Sequence, residues 1–298
     1  MLGKELRECL HNGKNIYGTH VTHMSNINAA GMLLQVGLDF AFFCGEHMTL
    51  DRVETGAICR FFAASGLAPI VRISHPSQHE AAMALDAGAH GIVAPYIETV
   101  EQVKELVGAV HYRPLKGQKL KEIVDGGQPP TRKMQDFFAD FNRNNFLIIG
   151  IESVPAVENL DALLSVKGVD GVFIGPHDMT TSLGCPNEYQ HPEYQRILEE
   201  IIVKCRKAGV GVGGHFQPAN TSAGRMREFM AMGMNWILDA SDITYAIAGL
   251  SARRSSLGFE MPVQKAADSV KTCASPQVNA VSPSRKSAAK AKTVCPVN

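Results

Sequence analysis

Two apolar runs in this chain end abruptly in a carboxylate. Leu147-Ile148-Ile149-Gly150-Ile151 leads into Glu152, and Val172-Phe173-Ile174-Gly175-Pro176-His177 leads into Asp178. Carboxylates are hard oxygen donors, and a pair of them that leaves other coordination positions open suits Mg2+, Mn2+ or Co2+ together with water and a chelating ligand. A cation held in that way acts as a Lewis acid. Arg72, which ends the run Ala68-Pro69-Ile70-Val71, adds a fixed positive charge of the kind that stabilises a carboxylate or a developing enolate. His47, in Gly45-Glu46-His47, adds a group that exchanges a proton near neutral pH. Taken singly, each residue has a plain structural reading, because buried Arg-Glu pairs are common. Their shared position, each at or just past the end of an apolar run, gives the functional reading its weight.

The elements that must position these residues follow from the same runs. Short stretches of Ile, Val and Phe without polar alternation read as strands buried on both faces of a parallel sheet. Eight are predicted: 15–21, 40–43, 69–73, 91–94, 146–151, 171–174, 209–213 and 235–238. Segments with helical period fall between them, at 77–87, 99–110, 157–164, 192–207 and 223–232, and Gly88, Gly209 and Gly233 mark helix C-termini. Eight strand-then-helix units predict an α/β chain folded as a parallel eight-stranded (β/α)8 TIM barrel, for which about 250 residues suffice. In that architecture ligands bind at the C-terminal rim of the strands. The spacing of Glu152 and Asp178 matches one strand-helix-strand step, so both can converge on one cation there.

Two stretches depart from the rhythm. The segment 112–145 carries Pro114, Gly126-Gly127 and Pro129-Pro130 before a helical-looking 134–142, and reads as a long loop on the catalytic rim, a lid or an oligomer contact. Residues 1–257 are expected to form one barrel domain. From 258 to 298 the composition turns to Pro, Ser, Ala and Lys, and predicts a disordered tail.

Composition excludes several classes of partner. With Lys+Arg 29 against Asp+Glu 29 there is no net charge to draw the chain to nucleic acid or an anionic membrane. No stretch approaches the roughly 18 apolar residues of a membrane span, and the charged N-terminus does not read as a secretory signal. The 7 cysteines are odd in number and never spaced as CxxC, so neither a disulfide framework nor a zinc knuckle is expected. A cytoplasmic protein fits best.

The motifs resemble the HpcH/HpaI aldolase family, the class II pyruvate aldolases, over about Lys14 to Ala252. The resemblance is carried by Gly45-Glu46-His47, Val71-Arg72-Ile73, Ala84-Leu85-Asp86-Ala87-Gly88-Ala89-His90-Gly91-Ile92 and Ile151-Glu152-Ser153. Above all it is carried by Gly168-Val169-Asp170-Gly171-Val172-Phe173-Ile174-Gly175-Pro176-His177-Asp178-Met179 with Ser182-Leu183-Gly184. It implies a barrel of the phosphoenolpyruvate/pyruvate type and a metal-dependent carbon-carbon lyase acting on a pyruvate enolate and an aldehyde. It makes Glu152 and Asp178 the metal ligands, places Arg72 beside the enolate oxygen, and assigns the backbone amides of Gly175 and His177 to the keto acid carboxylate. It also implies a homo-oligomer, a hexamer or trimer of dimers that exchanges the helix 243–254.

The chain departs from the family pattern at four places. Cys44 stands where an aspartate usually partners the rim histidine, His20 where tryptophan is common, Gly150 in place of a glutamine, and Lys119 roughly where an arginine is usual. A thiol is not a permanent anion, so His47 is expected to be a weaker base. His215, in Gly213-Gly214-His215-Phe216, is a candidate substrate contact, and Ser241-Asp242 reads first as a helix N-cap. Two further activities are compatible with these departures: formation of the same enolate by decarboxylating oxaloacetate, as in family relatives resembling macrophomate synthase, and a keto-acid-binding barrel without catalysis.

Overall fold

In the computed structural model, residues 1–259 are described. Eight strands, β1 (Ile16–His20), β2 (Phe40–Cys44), β3 (Ala68–Arg72), β4 (Gly91–Ala94), β5 (Phe146–Ile151), β6 (Gly171–Ile174), β7 (Gly211–Phe216) and β8 (Trp236–Ser241), pair in parallel in chain order and close into a barrel. The helices are α1 (Gly3–Asn12), α2 (Ile27–Gln35), α3 (Arg52–Ala64), α4 (Gln78–Ala87), α5 (Val100–His111), α6 (Gly117–Val124), α7 (Arg132–Phe141), α8 (Val154–Glu158) and α9 (Leu160–Ser165), followed by α10 (Pro176–Ser182), α11 (Pro192–Lys207), α12 (Ala223–Met232) and α13 (Asp242–Ser256). Met1–Leu250 form one compact unit, and the described residues 251–259 belong to a second. The tail expected over 258–298 lies, beyond residue 259, outside the described residues.

The apolar runs are strands because both of their faces are covered. Every residue of β2, β3 and β5 is buried. Along β2, Phe40, Phe42 and Cys44 join an inner cluster with Phe146, Ile148, Phe173 and Trp236, whereas Ala41 and Phe43 join the outer one. That alternation is the period of two of a strand.

α1 supplies Leu6, Cys9 and Leu10 to the inner cluster, the i, i+3, i+4 stripe of one helix face. A side chain at Gly211, at the start of β7, would stand 2.5 Å from Leu10 Cδ2, so the helix can lie this close only because that position is glycine. Asp170, just before β6, fixes the helix in polar terms. Its carboxylate accepts from Arg7 Nε at 2.8 Å and the Leu147 amide at 2.8 Å, and pairs with His11 Nε2 at 2.8 Å and His111 Nε2 at 3.2 Å. Burial disfavours its ionisation, but His111, His11 and Arg7 outweigh that cost and hold the carboxyl well below the usual carboxylate range.

Three expectations need correction. The segment 112–145 follows α5 and leads into β5, so it lies at the strand N-terminal end, away from the rim, and cannot be a catalytic lid. It holds α6 and α7 and is anchored by Asn142 Nδ2, which donates to the carbonyls of His111 and Arg113, both at 3.0 Å. The seventh strand begins at Gly211 and runs to Phe216, later than expected, because Gly209 sits at φ 71° in the turn that ends α11. The helix expected at 157–164 is broken at Asn159 into α8 and α9.

Candidate active site

The rim is built where β2, β3, β5 and β6 end. The register places Cys44 beside Arg72, and the Gly45 amide donates to the Arg72 carbonyl at 2.8 Å, which turns the chain so that Glu46 and His47 come back over the barrel mouth. Arg72 is buried at the end of β3. Its Nη2 donates to Glu152 Oε1 at 3.1 Å, its Nε stands 2.6 Å from Glu46 Oε2, and its guanidinium lies 5.3 Å from the centroid of the Phe173 ring. One guanidinium between two shielded carboxylates and over an aromatic face is held nearly rigid.

Glu152 is 3 % exposed. Its second oxygen accepts from the Tyr96 amide at 3.1 Å. A side chain at Gly175 would fall 2.6 Å from Glu152 Oε1, so only glycine lets the end of β6 approach the carboxylate so closely. Burial pushes the Glu152 carboxyl up to about 7; Arg72 and the Tyr96 amide oppose this, and the nearby charges of Asp178 and Glu46 add to it. Asp178 sits in the first turn of α10, half-buried, and accepts no hydrogen bond or ion pair among the described residues. A buried carboxylate with excess proton affinity beside one without a partner is a donor set that a divalent cation satisfies.

The remaining expected residues are placed less closely. The imidazole of His47 is 62 % exposed, with Nε2 at 3.8 Å from Glu46 Oε2. His177 is exposed and its Nδ1 is 3.0 Å from Asn187 Oδ1; its amide belongs to the first helical turn, where no helical carbonyl reaches. His215, at the end of β7, gives its Nε2 proton to the Ala240 carbonyl at 2.8 Å and meets the His20 ring edge-on at 5.5 Å. Burial lowers the proton affinity of both imidazoles, His20 to about 4. Ser241 caps α13 as expected, its Oγ accepting from the Thr244 amide at 3.4 Å, while Asp242, the first helical residue, pins the loop after β1. Its carboxylate accepts from the amides of Thr22 (3.0 Å), His23 (2.9 Å) and Met24 (2.6 Å). Lys119 is exposed on α6 and is not brought to the rim.

Two residues at the site were not singled out from sequence. Glu46 is the carboxylate nearest both Arg72 and His47, so the histidine does have an acidic neighbour despite Cys44. Tyr96 donates its hydroxyl to Glu46 Oε1 from a backbone at φ 55°, a left-handed conformation that non-glycine residues seldom adopt. That hydrogen bond, with burial, pushes the phenol up to about 12.

A rim of this kind on a parallel (β/α)8 barrel suits a lyase of the metal-assisted aldolase class. A family model described as HpcH/HpaI aldolase/citrate lyase matches residues 33–244, and the chain belongs to that family. It is 32% identical over 217 residues to a 2-keto-3-deoxy-L-rhamnonate aldolase of Salmonella gallinarum, covering 72% of this chain and 79% of that protein. The HpcH/HpaI aldolase of Desulfitobacterium hafniense DCB-2 superposes with a TM-score of 0.71 at 25% identity, covering 87% of this chain and 98% of that one. Macrophomate synthase shares the fold, with a TM-score of 0.63 at 24% identity, covering 85% of this chain and 91% of its own. The protein is a carbon-carbon lyase. No helix among the described residues is long and apolar enough to cross a membrane.

Proposed function

We propose that Glu152 and Asp178 hold Mg2+, Mn2+ or Co2+ and that the enzyme joins and cleaves pyruvate enolate and an aldehyde, with a 2-keto-3-deoxy sugar acid as the aldol, the class named for the Salmonella gallinarum relative. The cation, when bound, supplies Lewis acidity at the keto oxygen. Arg72 holds its guanidinium beside the developing enolate oxygen, and its fixation by Glu46, Glu152 and Phe173 means that no reorganisation accompanies the charge. The amides of Gly175 and His177 orient the keto acid carboxylate. His47 moves the proton of the aldol hydroxyl at Nε2, which stands 3.8 Å from Glu46 Oε2. His215 lines the acceptor end. The observation that carries the reading is the buried Arg72 between the Glu46 and Glu152 carboxylates.

The test is pyruvate release from a panel of 2-keto-3-deoxy acids with and without added metal. Turnover is expected with Mg2+, Mn2+ or Co2+ and is expected to vanish with a chelator and return on readdition. Carbon dioxide release from oxaloacetate with no retro-aldol activity would replace this reading by the decarboxylase one, in which the carbon-carbon bond to the carboxylate breaks to give the same enolate. That alternative is favoured by Cys44, because burial pushes the thiol up and keeps it from acting as an anionic partner for His47. Tyr96→Phe is expected to lower kcat/KM about tenfold, the worth of one hydrogen bond to a charged group. The melting temperature should stay unchanged, which steady-state kinetics and a thermal melt check together.

The homo-oligomer, a hexamer in our reading, is supported by the apolar residues that α13 leaves exposed, Ile247 at 58 % and Leu250 at 72 %.

A further inference from the structure

We propose that Cys44, Glu46 and His47 form a second cation site, separate from Glu152 and Asp178, that takes a thiophilic ion such as Zn2+ or Cd2+. One donor atom from each, a sulfur, a carboxylate oxygen and an imidazole nitrogen, lie within 4.8 Å of one another. The turn after β2 brings them together: the Gly45 amide is tied to the Arg72 carbonyl at 2.8 Å, and the His47 amide folds back to donate to Cys44 Sγ at 3.4 Å. A side chain at Gly45 would stand 2.9 Å from the Arg72 carbonyl oxygen, so the turn depends on glycine there.

The donor set suits zinc. Sulfur, nitrogen and oxygen at bond lengths of about 2.0–2.3 Å place tetrahedral ligands roughly 3.3–3.6 Å apart, so the three groups, within 4.8 Å of one another, need to close by about 1 Å. His47 can supply that movement, being 62 % exposed, while Cys44 and the Glu46 side chain are shielded and held in place. Soft sulfur disfavours Mg2+ at this position, just as the two oxygen ligands of Glu152 and Asp178 disfavour a thiophilic ion at theirs. A fourth position stays open to water or substrate.

An independent observation points the same way. Glu46 Oε2 is buried and charged, yet has no hydrogen-bond donor: Arg72 Nε at 2.6 Å offers it charge without hydrogen-bond alignment, and His47 Nε2 stands 3.8 Å away. A carboxylate oxygen that is ion-paired but accepts no aligned hydrogen bond, facing an imidazole and a thiol, has a lone pair that a thiophilic ion could use. On binding, the sulfur takes the ion and its proton passes to solvent. The ion would then occupy His47 and share the Glu46 carboxylate with Arg72, so that a thiophilic metal opposes the turnover that a hard metal supports. The binding claim does not depend on the catalytic roles proposed above.

The experiment uses the full chain and Co2+ as the probe, since a thiolate bound to cobalt gives a near-ultraviolet charge-transfer band. The band is expected in the wild type, retained in the Glu152→Gln/Asp178→Asn double variant, and lost in Cys44→Ser. His47→Gln, at an exposed position where folding is not at stake, is expected to weaken Zn2+ binding about 10–100-fold, measured by competition with a chromophoric chelator. Absence of the band in wild type, its survival in Cys44→Ser, its loss in the double variant, or unchanged Zn2+ affinity in His47→Gln each overturns the proposal. Failure of retro-aldol activity leaves these readouts untouched, so the two readings fail separately.

Discussion

Glu152→Gln is expected to lower kcat/KM by about a thousandfold or more while leaving the barrel folded. The substitution keeps the shape of the side chain, and the amide oxygen can still accept from the Tyr96 amide. It removes the charge that meets Arg72 at 3.1 Å and one of the two carboxylates that face the proposed cation. Stabilisation of developing charge by a Lewis acid amounts to several kcal/mol, and each 1.36 kcal/mol is about a factor of ten in rate. Metal titration by calorimetry would show the accompanying loss of affinity, and circular dichroism would show the retained fold. If activity fell less than tenfold with metal affinity intact, Glu152 would be a structural partner of Arg72 and nothing more.

Asp170→Asn carries the largest expected effect on stability, about 3 kcal/mol, because it strips the buried anion from three cationic or ionisable partners. For a chain of this size that is roughly 6–12 °C in melting temperature. The wild type should also show a pH signature that the variant lacks. The hydrogen bond to Asp170 raises the proton affinity of His11, so its contribution is fully present below the ordinary value of 6.5 and is lost as pH rises through the raised folded value. The Asp170 carboxyl is depressed, so its contribution is present above the ordinary value of 3.8 and is lost as pH falls through the folded value. Between those limits the cluster is at full strength. Thermal melts across pH 4 to 9 are expected to show a decline on the alkaline side in wild type that flattens in Asp170→Asn, with catalytic constants at low temperature little changed.

The eight strands can be read from the sequence because burial on both faces demands unbroken apolar runs, and the two carboxylates stand out because they interrupt such runs. The same logic fails where the pattern is weaker. α1 packs into the barrel through only Leu6, Cys9 and Leu10, among charged neighbours, and gives no apolar run to notice. Segment 112–145 reads as a rim loop because its prolines and glycines hide α6; the helical-looking 134–142 is α7, but no local pattern signals that the chain has already crossed to the opposite end. At the site, Arg72, Glu152 and Asp178 are legible by position. Glu46 is visible but overshadowed by its neighbour His47, whose chemistry is the more obvious. Tyr96 cannot be found, since it reaches Glu46 only through a left-handed backbone that no local pattern signals.

The seam of the barrel joins the first strand to the last. β1 pairs with β8 along its length, with a shift between Thr19 and His20, and Asp242 collects three amides of the loop after β1. These contacts have the greatest sequence separation in the sheet, and their loop-closure entropy is met last. During synthesis the opening strand must wait, one edge bare, until some 220 further residues have emerged. The carboxylate of Asp242 is thus a latch for ring closure, and a nascent chain stopped short of it exposes an open parallel sheet that invites pairing with a neighbour.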